Sequence, residues 1–254
     1  PLRHPLIFYY GHVATFFINK LLLARLVNQR VDPHLESILA VGVDEMSWDD
    51  LDEKHYDWPT IAQVQAYRDQ VLMIVTDIID HAPLTLPVRW DHPWWAIVMA
   101  VEHERIHLET SSVLIRQHRL DYVKATPEWK SSREHGAAPE NALVEVPAGS
   151  VTLGRSKDEP LYGWDNEFGH HEAEVGAFKA SRLLVSNGEY LAFVEAGGYT
   201  QPRYWEEEGL EWLKYSKVTQ PEFWVRQSNH WQLRLMTELV PMRWNWPVEV
   251  NTHE

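Results

Sequence analysis

The stretch Trp94–Leu114, WWAIVMAVEHERIHLETSSVL, reads as one helix with two histidines, His103 and His107, four residues apart. At ~100° per residue an (i, i+4) pair shares a face and stands close enough to share a metal ion. Ala96, Met99, Ala100, Thr110, Ser111 and Leu114 fall within roughly a quarter turn of the two histidines at ~3.6 residues per turn. Glu102, Arg105, Glu109, Ser112 and Arg116 collect on the far side. The histidines therefore lie on the small and apolar stripe that faces the interior, and the charges on the other. Two inward imidazoles need partners. Hydrogen bonds within the core are one answer and a shared metal ion is another.

Working outward, Asp91 followed by Pro93 reads as the cap of this helix. Upstream, Thr60 and Gln63 form a capping-box pattern, and Ile61, Val64, Tyr67, Val71, Ile74, Val75 and Ile78 recur at helical spacing to about His81. Residues 30–59 read as irregular, with an acidic DEMSWDD turn at 44–50 in which Ser47 caps a short helical turn. Before them, Leu6 to about Gln29 forms a helix apolar nearly all round, hence central in a bundle. His12 and Asn19 share a face of it, flanked by Phe8, Phe16 and Leu23. His12 is thus a candidate third ligand, with a hydrogen-bonded core histidine as the plain alternative; His55 and His92 are the substitutes to consider.

Downstream the character changes. Residues 126–142 are polar and rich in proline and alanine, the composition of an interdomain linker. From Leu143 short strands alternate with turns, in ALVEVPAGSVTLG and then HHEAEVGAFKA. Ser186 and Glu189 form a second capping box, opening a helix through Glu195 that ends at Gly197 and Gly198. Residues 199–254 are rich in tryptophan and show few periodic runs.

Composition bounds the chemistry. The 254 residues allow one large or two modest domains with real cores. A formal charge of −14 and a pI near 5.4 exclude a general nucleic-acid binder. With no cysteine there is no disulfide framework and no thiolate, so a metal must be held by histidine and carboxylate, which suits iron, zinc, manganese or nickel. The run Leu6–Val27 is long enough to cross a membrane, but His12, Asn19, Lys20 and Arg25 interrupt it, which favours a buried helix in a cytoplasmic protein. Both ends read as abrupt, and a fragment is expected.

Residues 103–107 are a literal H-E-x-x-H, the zinc-peptidase pattern in which the glutamate activates water. Its usual continuation is absent: Thr110 stands where glycine is required and Val113 where the third histidine would be, leaving Glu128 as a distant substitute ligand. The longer pattern, His103, His107 and Glu109 with a histidine on the first helix, resembles the DinB-like metal-binding four-helix bundle. The segments HPLIFYYGHVATFFINKLLLARL, VGVDEMSWDDL, HYDWP and EHERIHLETSSVLIRQ are similar to the 5-histidylcysteine sulfoxide synthases of ovothiol biosynthesis, relatives of the ergothioneine sulfoxide synthases. VPAGSVTLG, YGWDNEFGHHEAEV and LLVSNGEYLAFVEAGGY resemble the formylglycine-generating-enzyme-like domain that follows the bundle in both families.

The resemblance implies an α+β chain: a DinB-like helical metal-binding domain at 1–125, a linker at 126–142, and the first part of a formylglycine-generating-enzyme-like (C-type-lectin-like) domain at 143–254. It places three iron ligands on His12, His103 and His107, and implies Fe(II)-dependent coupling of L-cysteine to L-histidine with O2, giving 5-histidylcysteine sulfoxide. The family's catalytic tyrosine falls beyond PVEVNTHE, so no catalytic or substrate-binding residue is assigned. Glu109 reads as the (i, i+4) partner of Arg105 rather than as a ligand. Expected partners are small molecules, not nucleic acid or membrane. An ergothioneine-type synthase using trimethylhistidine, a zinc-dependent DinB-like thiol transferase, the peptidase, and a non-catalytic metal-binding module are the competing readings.

Overall fold

The computed structural model describes residues 4–41 and 56–250, so the Ser47 cap, the acidic turn at 44–50 and His55 lie outside the described residues. The chain mixes helices and strands: α1 (Leu6–Leu23), α2 (Pro33–Ile38), α3 (Ile61–His81), α4 (Trp94–Gln117), β1 (Leu143–Val146), β2 (Gly149–Leu153), β3 (His171–Val175), β4 (Phe178–Ser181), α5 (Asn187–Glu195), α6 (Glu207–Ser216), β5 (Trp224–Gln227), β6 (His230–Arg234) and β7 (Leu239–Pro241). It divides into two compact units, one of residues 1–111 with 152–172 and the other of 112–151 with 173–254.

In the first unit the apolar stripes of α1, α3 and α4 meet. Ala14, Ile18 and Leu21 pack with Tyr67, Val71, Val75 and Ile78, and Ile97 joins them from α4. Burying a side chain of this size contributes about 1.5–3 kcal/mol, which is why an all-apolar α1 takes the centre. Its buried half argues for a core helix, although α1 is long and apolar enough to cross a membrane. The helix stops six residues short of Gln29. Arg25 adopts φ 58°, its N–H reaches the Leu22 carbonyl at 3.1 Å, and the N–H of Leu26 reaches the Leu21 carbonyl at 2.9 Å. This is a Schellman closure with arginine where glycine is usual, and burial of Leu21 with Leu26 packed on the same core holds it.

α2 is short and strongly fixed. Asp32 accepts from the N–H groups of His34 and Leu35 at 3.0 Å each, and Pro33 sits at the first helical position. Glu36, 1% exposed, pairs with Arg30 at 2.7 Å and accepts from the backbone of Val31 and Asp32. A buried carboxylate satisfied in this way is not an isolated charge. α3 opens on the Thr60–Gln63 capping box. At the start of α4 the acceptor is His92 rather than Asp91: its Nδ1 takes the Trp94 N–H at 3.1 Å. His92 is thereby occupied as a cap.

In the second unit β1 pairs with β4 antiparallel, Leu143 opposite Ser181, and β5–β6–β7 form an antiparallel sheet with Trp224 opposite Leu233 and Leu233 opposite Val240. Those three residues are buried together with Phe223, Leu235 and Met242. β2 lies beside β3. The Ser186–Glu189 box opens α5, and Gly197 follows it at φ 79°. Asn187, 1% exposed, accepts from the Trp224 indole at 3.0 Å and donates to the Arg243 carbonyl at 2.8 Å, tying α5 to the sheet.

Candidate metal centre

α1 presents His12 and α4 presents His103 and His107 to a common point. The three offer ring nitrogens that all lie within 4.8 Å of one another. Ring centroids are 5.1 Å apart for His12 and His103, 4.9 Å for His12 and His107, and 4.4 Å for the pair on α4. The Nε2 atoms of His103 and His107 approach to 3.1 Å. Among the described residues the group holds three histidines and no carboxylate.

Each ring is held differently. His12 is buried, and its Nδ1 lies 2.8 Å from the Leu39 carbonyl. That carbonyl can only accept, so Nδ1 carries a proton, and in the neutral ring the lone pair is on Nε2. Close packing sets this distance: Gly11 leaves no room for a Cβ, which would stand 2.5 Å from a Leu39 methyl. Phe8 stacks on His12 at 5.0 Å. His103 lies flat on Phe16, centroids 3.6 Å apart and planes 6° from parallel. The Nδ1 atoms of His103 and His107 are buried with no hydrogen-bond partner among the described residues, so stacking on Phe16 orients the His103 ring and the Nε2 contact with His103 is the one polar contact of the His107 ring.

Electrostatics keep the two α4 histidines neutral. Burial, then the neighbouring His107 and His12, hold the His103 pKa down at about 3. Burial, then His12, lowers His107 to about 4. At neutral pH both rings expose lone pairs, which is the form a metal binds. Two lone pairs facing each other at 3.1 Å are relieved either by one shared N–H or by a cation. A neutral three-imidazole donor set with convergent nitrogens fits a divalent transition metal.

The structure thus brings together all three histidines singled out from sequence. Glu109 is exposed, and the ion pair of Arg105 runs to Glu102 at 3.0 Å, one residue nearer than expected. At (i, i+3) Glu102 reaches the same guanidinium from the preceding turn. Glu104, the would-be peptidase base, lines a hollow of about 220 Å³ with Val13, Phe17, Gln65, Arg68 and Asp69 that none of the three histidines lines. Such a base must face the metal-bound water, so this placement weighs against the peptidase reading. Sequence reasoning missed two contributions: the backbone carbonyl of Leu39, which leaves no signal, and the role of Phe16, placed beside His12 from sequence, as the platform under His103. Only the four-residue spacing of His12 and Phe16 hinted at the second.

Comparison with known proteins identifies one domain, in the second half of the chain. Residues 130–249 match the sulfatase-modifying factor enzyme 1-like domain. The chain is 27% identical over 214 residues to ergothioneine biosynthesis protein 1 of Neurospora crassa, covering 76% of this chain and 24% of that protein. It is 28% identical over 148 residues to the hercynine oxygenase of Mycolicibacterium smegmatis, covering 58% of this chain and 33% of the relative. A 52-residue stretch is 48% identical to the hercynine oxygenase of Mycobacterium tuberculosis, covering 20% of this chain and 12% of that one. The chain spans about a quarter to a third of the length of the first relatives it matches. It is a mixed helix-and-strand protein with a sulfatase-modifying factor enzyme 1-like domain, similar to ergothioneine-biosynthesis proteins and hercynine oxygenases.

Proposed function

We propose that the chain is part of a non-heme iron(II) sulfoxide synthase, with His12, His103 and His107 as the iron ligands, acting in the cytoplasm on small molecules. The convergence of three neutral imidazoles carries this reading. Three imidazole ligands would leave an octahedral ion about three positions for two substrates and O2, and iron is preferred to zinc because the proposed reaction is a redox one. We read residues 1–125 as a DinB-like bundle, 126–142 as a linker and 143–254 as the beginning of a formylglycine-generating-enzyme-like domain.

Iron(II), when bound, supplies the redox chemistry with O2. The chain supplies the rest. The Leu39 carbonyl holds the His12 proton on Nδ1 and turns Nε2 inward. The depressed pKa values keep His103 and His107 as lone-pair donors, and Phe8 and Phe16 wall the rings from water. The overall reaction balances without a reducing cosubstrate: a thiol S–H and an imidazole C–H are lost, a C–S bond and an S=O bond form, and the second oxygen atom leaves as water. C–S coupling and sulfoxidation each release two electrons, the four that O2 takes up.

L-Cysteine and L-histidine are the proposed substrates of an ovothiol-type enzyme. The names of the matched relatives favour a second reading, in which hercynine, the trimethylated histidine, is the acceptor. The deciding experiment is oxygen uptake by the full-length protein with Fe(II), each thiol and each acceptor in turn, with the product identified by mass. Uptake should require all components and vanish in His103→Ala or His107→Ala, whereas Glu109→Ala should keep its iron. Zinc uptake without oxygen consumption would overturn the iron reading, and preference for hercynine over L-histidine would select the ergothioneine type.

A further inference from the structure

A second histidine is tied to the end of α2. The Nδ1 of His12 lies 2.8 Å from the Leu39 carbonyl, and the Nε2 of His4 lies 3.1 Å from the carbonyl of Val41, two residues further on. A carbonyl can only accept, so His4 carries a proton on Nε2 and donates it. The two rings belong to one column. His4 packs on Phe8 with centroids 4.3 Å apart, and Phe8 stacks on His12 at 5.0 Å and 13° from parallel. All three side chains are buried, and Trp58 packs against the His4 end at 5.7 Å.

The stretch 39–41 needs such a tether. The Leu39 side chain is fully buried in the core, and its N–H closes on the Leu35 carbonyl at 2.9 Å. Those contacts fix the Leu39 Cα. The direction of its carbonyl is set by ψ, here 1°, and hence by whatever holds the residues that follow. The backbone holds them weakly: the N–H groups of Ala40 and Val41 reach the Ser37 and Ile38 carbonyls at 3.4 Å each, outside the usual range of about 2.7–3.2 Å. Among the described residues the bond from His4 is the shortest made to either residue. His4 therefore holds the turn at the end that α2 leaves loose.

We infer that His4 is a positioning residue for the metal centre. Its Nε2–H pins the Val41 carbonyl, the pinned turn keeps the Leu39 carbonyl aimed at Nδ1 of His12, and the lone pair of His12 is thereby kept on Nε2. His4 is not among the convergent nitrogens, and Phe8 stacks between its ring and that of His12. The inference rests on the metal-centre reading for its consequence. The tautomer of His12 is a property of the metal-free chain and is measured independently of that reading.

The test separates the bond from the packing. His4→Phe keeps a ring on Phe8 and loses the donor, whereas His4→Gln loses the ring and keeps an N–H near the Nε2 position. In the full chain, metal-free and with isotopically labelled histidine, long-range proton–nitrogen correlation spectra report each tautomer, with His12→Gln and His4→Gln assigning the two rings. Titration with Co(II), followed by its visible absorption, reports affinity. His12 should be protonated on Nδ1 in the wild type and in His4→Gln, and should become a mixture of tautomers in His4→Phe. Co(II) affinity should fall about tenfold in His4→Phe and stay within about threefold of wild type in His4→Gln. Equal losses in the two variants, or the larger loss in His4→Gln, would assign His4 to packing and overturn the inference, as would a His4→Phe that keeps both tautomer and affinity. If His4→Phe does not fold, the wild-type spectrum decides: a His4 protonated on Nδ1 alone overturns the inference, and one protonated on Nε2 upholds it. A wild type that binds no Co(II), with the His12 tautomer still following His4, overturns the metal-centre reading instead.

Discussion

At the scale of single residues, the candidate centre depends on where three protons sit. His12 donates its Nδ1–H to Leu39, His103 is held neutral by burial and by His107 and His12, and His107 by burial and by His12. This has a pH signature. An unfolded histidine takes up a proton near pH 6.5, but in the folded chain His103 does so only near 3 and His107 near 4. Between these limits the unfolded state binds more protons, so stability rises with pH across that window and levels off above about 6.5. Urea unfolding of the metal-free chain should therefore show a lower midpoint at pH 5 than at pH 7.5. His103→Gln with His107→Gln should flatten that difference, because carboxylates with lowered pKa such as Glu167 and Glu189 begin to contribute only below the usual carboxylate range. An unchanged slope in the double variant would mean that the cluster is not the source. The spacing of His103 and His107 was legible in the sequence because helical geometry converts four residues into one face. Leu39 was not, since a backbone acceptor leaves no trace in residue type.

At the scale of elements, the least conspicuous helix carries the most leverage. α2 has only six residues, yet Glu36 pins its start to Arg30 and to the backbone at 31–32, and its C-cap residue is Leu39. Glu36→Ala should cost about 3 kcal/mol, since it strips a buried, multiply bonded carboxylate from its partners. It should also weaken metal binding at a site it does not touch, through displacement of the Leu39 carbonyl. Chemical denaturation and metal titration of one variant measure both, and loss of stability with unaltered metal affinity would cut the proposed link. The end of α1 offers the opposite test. Arg25→Gly removes a side chain from a left-handed position and should stabilise the chain by up to about 1 kcal/mol in thermal unfolding. Capping boxes at Thr60 and Ser186 were readable because they are written in two side chains at fixed spacing. The end of α1 was misplaced and the cap of α4 misassigned, because arginine and histidine took roles usually filled by glycine and aspartate. α6 and the β5–β7 sheet escaped for another reason: their buried residues, Trp224, Leu233 and Val240, meet across strands and show no period along the chain.

At the scale of the whole molecule, each compact unit has its own buried cluster, one built on α1, α3 and α4 and one on β5–β7 with α5. The three histidines all belong to the first. A ligand that binds only the native state stabilises whatever must unfold to release it, by about 2.7 kcal/mol at a hundred times its dissociation constant. Metal should therefore slow amide exchange most in α1 and in α4 around residues 99–108, where opening separates ligand from ligand. Exchange in β5–β7 should change little, because those amides can open with the three histidines still joined. Hydrogen exchange with and without Fe(II) under argon reads both regions at once, and His107→Ala is the control in which the α1 effect should vanish. Equal protection of both regions would show that the units open only together. Protection confined to the β5–β7 sheet would move the metal away from the histidines altogether.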